Sequence, residues 1–278
     1  MKNFFLIIFL LHAVFCFGQS NDVVDFKAMY LPSHSYQEVH EQNFHTEVTY
    51  IGSKEFLKRL RKKKIKNPSI AESKEIVKAT FNSGAMDADS IFPITLKFVN
   101  TSNSSGKKVV PDGTTIYGKC KCGELPKIDS VVSSLLTADF KKTMANNIQN
   151  IFDQINLPRK TLKTGEEFSK EAPLSIPFGS TTLDMIITTT YKLINVSHDS
   201  AFFDIKQVFT VKSVLAGNNL TATGSGSGVM IYDIKNMFYS YYKVTYAMLM
   251  TTVADNFSLS VNMSGDDIIS VKITDEEK

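Results

Sequence analysis

Three glycines at alternate positions, Gly224, Gly226 and Gly228, lie in the stretch TATGSGSGVMIYD and could serve phosphate chemistry. A phosphate-binding loop, however, continues with Lys and Ser or Thr, and a dinucleotide-binding turn opens a helix. Here Val229 replaces the third glycine of the dinucleotide pattern, and the residues after it are typical of a strand. Because residues two apart share one face of a strand, the tract predicts a strand with one bare face.

A bare strand face favours aromatic cover from the next strand, and the sequence FYSYYKVTYAMLM would supply it. A three-residue loop at 234–236 would place Gly224 opposite Tyr246 and Gly228 opposite Tyr242. A two-residue loop would place an alanine and a lysine there instead. We expect the three-residue loop, because only this register covers the glycines.

Metal-binding side chains also occur together near the N-terminus. His34, Glu38 and His40 share one face if this segment is a strand, and such a set could ligate a transition metal. Their spacing matches no His-Glu-x-x-His motif, so polar residues on a solvated strand are the simpler interpretation. The chain also lacks a Gly-x-Ser-x-Gly elbow. We therefore predict no catalytic residue, no metal and no other cofactor, and whether the protein is an enzyme stays open.

Two cysteines, Cys120 and Cys122, lie in the stretch GKCKCGE. They could form a strained Cys-x-Cys disulfide, supply half of a metal site, or remain free thiols in a turn. A zinc site would need two more Cys or His ligands, and no matching pair follows in the sequence. The disulfide and the free thiols therefore remain the two main alternatives.

Basic side chains are concentrated at 54–66, KEFLKRLRKKKIK, which holds eight Lys or Arg and one Glu. Elsewhere after residue 18, 22 basic and 27 acidic residues remain. With Phe56, Leu57 and Leu60 on one side of a predicted helix, this pattern suits an anionic membrane surface or an acidic glycan. The alternative is a solvated charged face. The residues predicted to bind an anionic surface are Lys58, Arg59, Arg61, Lys62, Lys63, Lys64 and Lys66.

The first residues, MKNFFLIIFLLHAVFCFGQS, predict an export signal that is cut before Gln19. Lys2 precedes an apolar run that is too short to span a membrane. Lipid attachment at Cys16 is disfavoured, because the bulky Phe15 precedes it. We expect an exported protein that is periplasmic, secreted or associated with the outer membrane. Nucleic acid is therefore not an expected partner.

Hydrophobic periodicity predicts the elements that position these residues. Apolar residues recur at spacings of three and four over 137–155, which predicts an amphipathic helix. About six antiparallel strands are predicted over 182–274, the last two being Phe257–Met263 and Ile268–Ile273, split at Gly265. The first half has the basic helix, from Ser53 to about 67, and further strands at about 24–51, 75–82, 91–100 and 114–119.

The fold class expected from these elements is α+β and β-dominated. We expect a curved antiparallel sheet, a half-barrel or cup, covered by the amphipathic helix. The chain divides into the signal (1–18), an N-terminal β-rich part with the basic helix (19–130), and a helix with an antiparallel sheet (131–278). The last two parts are expected to pack as one unit.

Residues 157–240 resemble a family of exported bacterial proteins classed as a domain of unknown function. The resemblance is carried by LPRKTLKTGEEF, with Pro158, Gly165 and Phe168, by the strand TYKL, and by GSGSGVMIYD ending in Asp233. It implies a β-rich protein that is secreted or lipid-anchored. It supplies no catalytic residue.

Together these features favour an extracytoplasmic, non-enzymatic binding or carrier-like protein that holds an apolar ligand or partner segment between the helix and the sheet. A cell-envelope hydrolase and a structural envelope protein without a ligand are the alternatives, and the oligomeric state is left open. The side chains predicted to face the ligand are Phe140, Met144, Ile148, Ile151, Phe152, Tyr242 and Tyr246.

Overall fold

The computed structural model describes residues 23–106, 108, 110–154, 157–178, 181–213, 219–254 and 257–275. The predicted export signal, with Cys16, lies outside the described residues. Within this part, neither helix combines the length and the apolar composition needed to cross a bilayer.

The described residues form thirteen strands and two helices. The helices are α1 Lys54–Lys62 and α2 Ala138–Gln154. The strands are β1 Val23–Phe26, β2 His34–Gly52, β3 Ser69–Ser83, β4 Ile91–Asn103, β5 Thr115–Lys121, β6 Lys127–Val132, β7 Lys160–Lys163, β8 Glu167–Phe178, β9 Thr181–Ser197, β10 Ser200–Ser213, β11 Asn219–Asp233, β12 Phe238–Ala254 and β13 Phe257–Asp275.

Eleven strands form one antiparallel sheet in the order β6-β5-β4-β3-β2-β13-β12-β11-β10-β9-β8. The last strand, β13, pairs with β2 from Phe257↔Gly52 to Asp275↔His34, so strands from both halves of the chain belong to the same sheet. The short strands β1 and β7 pair only with each other among the described strands. The β-dominated α+β class, with a curved antiparallel sheet and a helix, is confirmed.

The buried side chains of the sheet lie on one face, called the inner face here, and form three clusters. The cluster on the side of the β1–β7 pair lies beneath these two strands and includes Phe26, Leu162, Phe168, Leu193, Phe203 and Tyr232. The helix-side cluster lies beneath α2 and includes Tyr36, Phe81, Phe92, Ile116, Met144, Ile148 and Phe152. The far-end cluster includes Leu183, Met185, Phe209, Leu220, Met248, Met250 and Val261.

The far-end cluster shows how the sheet curves. Its members and the side chains packed on them come from seven strands, from β8 through β13 to β2, and include Leu174 on β8 and Val48 on β2. Leu183 and Met185 are fully buried there although the cluster includes no residue of a helix. Burial of these side chains without a covering helix fits a curved inner face, on which side chains of the strands cover one another.

Helix α2 covers a different part of the sheet from the one predicted. It packs on β6 and places Phe152 against Tyr30 and Phe81, with ring centroids 6.2 and 6.5 Å apart. The helix therefore covers the N-terminal half of the sheet, and not the strands that follow it. Those strands are covered by β1 and β7, whose pairing joins Phe26 to Lys160 across a long sequence separation.

The two strands predicted at the C-terminus are one strand, β13. Gly265, Asp266 and Asp267 have the composition of a turn, but they pair with β12 and β2 in an unbroken ladder. The ring of Tyr246 lies over Gly265, so a Cβ there would come 2.7 Å from the phenol oxygen. Neighbouring strands also bind both carboxylates, since Thr245 donates to Asp266 and His40 contacts Asp267. Three further strands, β6, β7 and β8, were not predicted.

The glycine tract is a strand, but its predicted register is wrong by two residues. Gly226 lies opposite Tyr246, and Tyr242 lies opposite Met230. The loop has four residues, 234–237, and a bulge between Ile231 and Tyr232 adds one more position. Together the two changes move the register by two residues. Since side chains two residues apart share one face of a strand, the glycines and both tyrosines still lie on the inner face.

Gly228 is expected to be the most sensitive position of this tract. A Cβ at Gly228 would lie 1.8 Å from the backbone oxygen of Lys243, so any side chain would push β11 and β12 apart. We predict that Gly228→Ala lowers the free energy of unfolding by about 2 kcal/mol or more, measured by thermal and urea denaturation. The control is Ser227→Ala, on the exposed face of the same strand. Equal stability of the two variants would contradict this packing.

Candidate ligand-binding site

A cavity of about 720 Å³ lies on the inner face between the two covers. Its walls come from β8, β9, β11, β12 and β13, and from the C-terminal part of α2. Three connecting segments, at 28–30, 123–126 and 157–159, complete the lining together with Lys127 at the start of β6. The site is therefore built from residues distant in sequence, which meet only because one concave sheet carries both covers.

Aromatic side chains form much of the wall. Tyr239 stacks on Phe238 with ring centroids 4.5 Å apart, and its ring lies 6.5 Å from that of Tyr242. Tyr191 faces the cavity and stacks on Phe168 at 5.0 Å. These rings give the cavity a surface suited to apolar ligands, with phenol groups at defined positions.

The phenols of this wall stay neutral. Burial raises the pKa of Tyr191 to about 12. Burial, followed by the charges of Tyr191 and Asp267, raises the pKa of Tyr242 further. The pKa of Tyr239 is likewise raised, by burial and then by nearby acidic groups that include Glu38. These side chains can therefore exchange hydrogen bonds with a ligand but carry no charge at neutral pH.

A row of polar groups crosses the inner face beside Tyr242. Lys170 on β8 pairs with Thr189 on β9, which pairs with Gln207 on β10. The Gln207 amide donates to the Thr189 hydroxyl at 3.3 Å and to the Tyr242 hydroxyl at 3.5 Å. Lys170, Thr189 and Tyr242 line the cavity, so a polar ligand group would meet a prearranged network here.

Basic groups outnumber the acidic groups around the cavity. Lys170 is half-buried, and burial lowers the pKa of its ammonium group. Lys127 and Arg159 are exposed at the rim, where the Arg159 guanidinium donates to the backbone oxygen of Gly123. Glu124 is the acidic group of this rim. The site can therefore hold an anionic group near a cationic lining.

An acid–imidazole pair lies at the floor. The His40 Nε2 atom is 2.5 Å from Asp267, and Asp267 lines the cavity. Burial lowers the pKa of His40, but the hydrogen bond and charge of Asp267, with the charges of Glu38 and Glu75, outweigh it and raise the pKa overall. Burial, and then the charge of Asp267, raises the pKa of Glu38 although His40 lowers it. The Asp267 carboxylate therefore favours the protonated form of the His40 imidazole.

The predicted ligand-facing residues fall into four groups. Tyr242 lines the cavity. Tyr246 lies on the same face farther along β12, with its ring 6.4 Å from Phe44 and 6.1 Å from Phe209. Met144, Ile148 and Phe152 are buried in the helix-side cluster. These last side chains fill the space between helix and sheet, so the cavity lies beside that space and not within it.

Phe140 and Ile151 do not face the sheet, which corrects their predicted position. Their side chains are 51% and 55% exposed. Successive residues of a helix are rotated by 100° about its axis. Phe140 and Ile151 therefore point about 80° and 60° away from the direction of Ile148, both toward the same side of the buried stripe. The helix instead reaches the cavity through Gln149, which the sequence analysis missed. Its amide donates to Pro126 O and accepts from Ile128 N, so it fixes α2 to the cavity rim.

The two cysteines are free thiols, so the disulfide that we considered is absent from the structure. Cys120 is buried on β5, and its Sγ lies 3.3 Å from Glu124 O. Burial, and then the charges of Cys122 and Glu124, raises its pKa to about 12. Cys122 follows the end of β5 and is exposed, because the chain turns there.

The two histidines of the set considered for a metal bind other groups. The His34 Nδ1 atom lies 2.7 Å from Pro32 O, and its Nε2 atom lies 3.1 Å from Asp275. His40 binds Asp267. Across the described ranges, no three His, Cys, Asp or Glu side chains are arranged to hold a metal ion.

The basic residues lie away from the cavity, on and just after α1. The hydroxyl of Ser53 caps the helix by accepting from Phe56 N at 3.1 Å. Phe56 stacks on Phe257 at the start of β13, with ring centroids 4.9 Å apart and an interplanar angle of 6°. The cavity and the basic helix are therefore separate surfaces.

No protein-family model matches the chain, and no curated protein is significantly similar to it. Among solved structures, the chain is similar to one that describes lipid–protein interactions in lipovitellin, with a TM-score of 0.46 and 9% sequence identity. The similarity covers 90% of this chain and 26% of the lipovitellin chain, so the protein spans about a quarter of that chain's length.

The His40–Asp267 pair makes a prediction about pH. We expect NMR titration to give His40 a pKa above the ordinary value of about 6.5. Asp267→Asn should lower it, because the charged acceptor is lost while burial remains. The control is Asp266→Asn, whose carboxylate binds Thr245 on the opposite face.

The sign of the stability change follows from the raised pKa. The stabilisation from His40 protonation is fully present below about pH 6.5 and is lost as the pH rises through the folded-state value. The difference in unfolding free energy between wild type and Asp267→Asn should therefore shrink with rising pH. An unchanged His40 titration in Asp267→Asn would contradict the pairing.

Proposed function

We propose that the protein is an extracytoplasmic binding or carrier-like protein that holds one amphipathic molecule in the cavity. The ligand class we propose is an acyl chain with an anionic head group, such as a fatty acid or a lysophospholipid. The observation that carries this proposal is the aromatic, largely apolar cavity of about 720 Å³ with Lys170 inside its lining. The predicted export signal supports the extracytoplasmic site of action.

The size and chemistry of the cavity support a small ligand. Binding sites for small molecules usually enclose about 300–1,000 Å³ and combine apolar walls with a few placed polar groups. Met29, Met230, Leu157 and Ile269 extend the apolar lining beyond the tyrosines. An acyl chain would gain most from this lining, because burial of its methylene groups provides about 0.8 kcal/mol each.

The polar row supports an anionic head group. Lys170 would supply a positive charge, and the Thr189 and Tyr242 hydroxyls would supply neutral hydrogen-bond donors. The floor offers no competing positive site, because His40 is already bound to Asp267. An anion would therefore be held beside Lys170, with its chain against the tyrosines.

Native mass spectrometry of the exported protein, followed by lipid extraction, tests occupancy. We expect a chain that begins at Gln19 and carries one acyl ligand. Ala172→Phe should lower ligand occupancy, because Ala172 lines the cavity and a phenyl ring there would occupy part of it. The matched control is Ala85→Phe, at an exposed loop position. Occupancy in Ala172→Phe equal to that of wild type, or a wild-type protein without ligand even after incubation with oleic acid, would refute the proposal.

The head-group assignment is tested with the fluorescent fatty acid cis-parinaric acid. Lys170→Gln should weaken its binding about tenfold, because a hydrogen bond to a charged group contributes about 1.5 kcal/mol or more. The affinity for a neutral fatty alcohol, measured by displacement, should change little. The control is Lys206→Gln, on the exposed face of β10. Equal loss of acid and alcohol affinity would show that Lys170 does not recognise the charge.

A further inference from the structure

The basic segment, residues 54–66, lies at one end of the sheet. Its exposed surface is called the basic rim here and is distinct from the rim of the cavity. Helix α1 begins two residues after β2 ends, next to the start of β13. Asp267, at the cavity floor, is ten residues farther along β13 than Phe257, or about 33 Å of strand. The basic rim is therefore a second surface that the proposed ligand site does not explain.

The positive charge of the basic rim is not neutralised within the described chain. Its seven basic side chains are all exposed, and none forms an ion pair with another described residue. The seven are Lys58, Arg59, Arg61, Lys62, Lys63, Lys64 and Lys66. Glu55 is the acid within the segment. Such a density of positive charge attracts an anionic surface.

Exposed aliphatic side chains lie beside this charge. Ile51 and Val253 both flank Ser258, so they lie on the same outer face of the sheet at this end. They are 56% and 55% exposed, and Ile70, at the start of β3, is 58% exposed. Ile65, between the lysines, is 38% exposed. Aliphatic groups of this kind can enter the interface of a bilayer, whereas they would gain little from an acidic glycan.

The basic rim is held in place by contacts that do not use its charges. Leu60 is buried, and Phe56 stacks on Phe257. The Asn67 side chain accepts from Tyr50 N and donates to Tyr50 O, each at 2.8 Å, which fixes the chain after α1 to the end of β2. The charged surface is thus presented by a folded element, and its lysines are available to a partner.

From the charge, the exposed aliphatic groups and their fixed presentation, we infer that the basic rim docks the protein on a bilayer that contains anionic phospholipid. The lysines and arginines contact the head groups, and the neighbouring isoleucines and valine enter the interface. This surface is independent of the cavity, so docking does not require a bound ligand.

Vesicle co-sedimentation of the chain from Gln19 onward tests this inference. The protein should sediment with vesicles of phosphatidylcholine and phosphatidylglycerol, but not with phosphatidylcholine alone, and salt should weaken the binding. The triple variant Lys62→Gln, Lys63→Gln, Lys64→Gln should bind at least tenfold more weakly. The matched control removes three exposed lysines elsewhere, with Lys97→Gln, Lys192→Gln and Lys206→Gln, and should bind like wild type.

Other results would overturn the inference in distinct ways. Absence of binding to phosphatidylglycerol vesicles at low salt rejects membrane docking, and binding to heparin-agarose alone assigns the rim to an acidic glycan. Equal losses in the two triple variants would mean that net charge, and not this rim, is responsible. Ala172→Phe should dock like wild type, so failure of the ligand proposal and failure of this one are separable.

Discussion

The pairing of β13 with β2 is the constraint on which the rest of the structure depends. This ladder joins Phe257–Asp275 to His34–Gly52, and without it the strands before and after α2 would form two separate sheets with exposed edges. The ladder must pass Gly265, Asp266 and Asp267 without a turn. It does so because Tyr246 lies over the glycine and because Thr245 and His40 bind the two carboxylates, so that residues with turn composition are satisfied within a strand.

A single long concave sheet cannot be covered by one short helix. Helix α2 covers the strands of the N-terminal half, and β1 and β7 cover the C-terminal half. At the far end the side chains of the sheet strands pack on one another. The cavity lies where the helix and the β1–β7 pair fail to meet, and the segments that lead into and out of them form its rim. The cavity is thus a consequence of how the inner face is covered.

Local patterns in the sequence were sufficient for much of the fold. The stripe of α2 and the start of α1 at Ser53 each reflect neighbours within a few residues, and the structure has both. Helix α1, however, ends at Lys62 and not near residue 67 as expected. The partner of α2 could not be predicted, because amphipathicity shows that a face is buried but not against what. The predicted register of the glycine tract was wrong for a similar reason, since a bulge and one extra loop residue leave no mark on the hydrophobic alternation.

The candidate site depends even more on distant contacts. Tyr242 was predicted from local reasoning, whereas the His40–Asp267 pair and the Gln149 hydrogen bonds to the cavity rim were not.

The polar side chains at the floor of the cavity carry a desolvation free energy that packing alone does not explain. Glu38, His40 and Asp267 are partly removed from water, and apolar side chains of similar size would avoid the desolvation that this requires. Their position between the helix-side cluster and the tyrosine wall makes this the polar part of an otherwise apolar inner face. The same two strands, β2 and β13, carry this floor in their middle and the basic rim at one end. Because one hydrogen-bonded ladder carries both, the pairing that joins the two halves of the sheet also sets the position of the cavity relative to the basic rim.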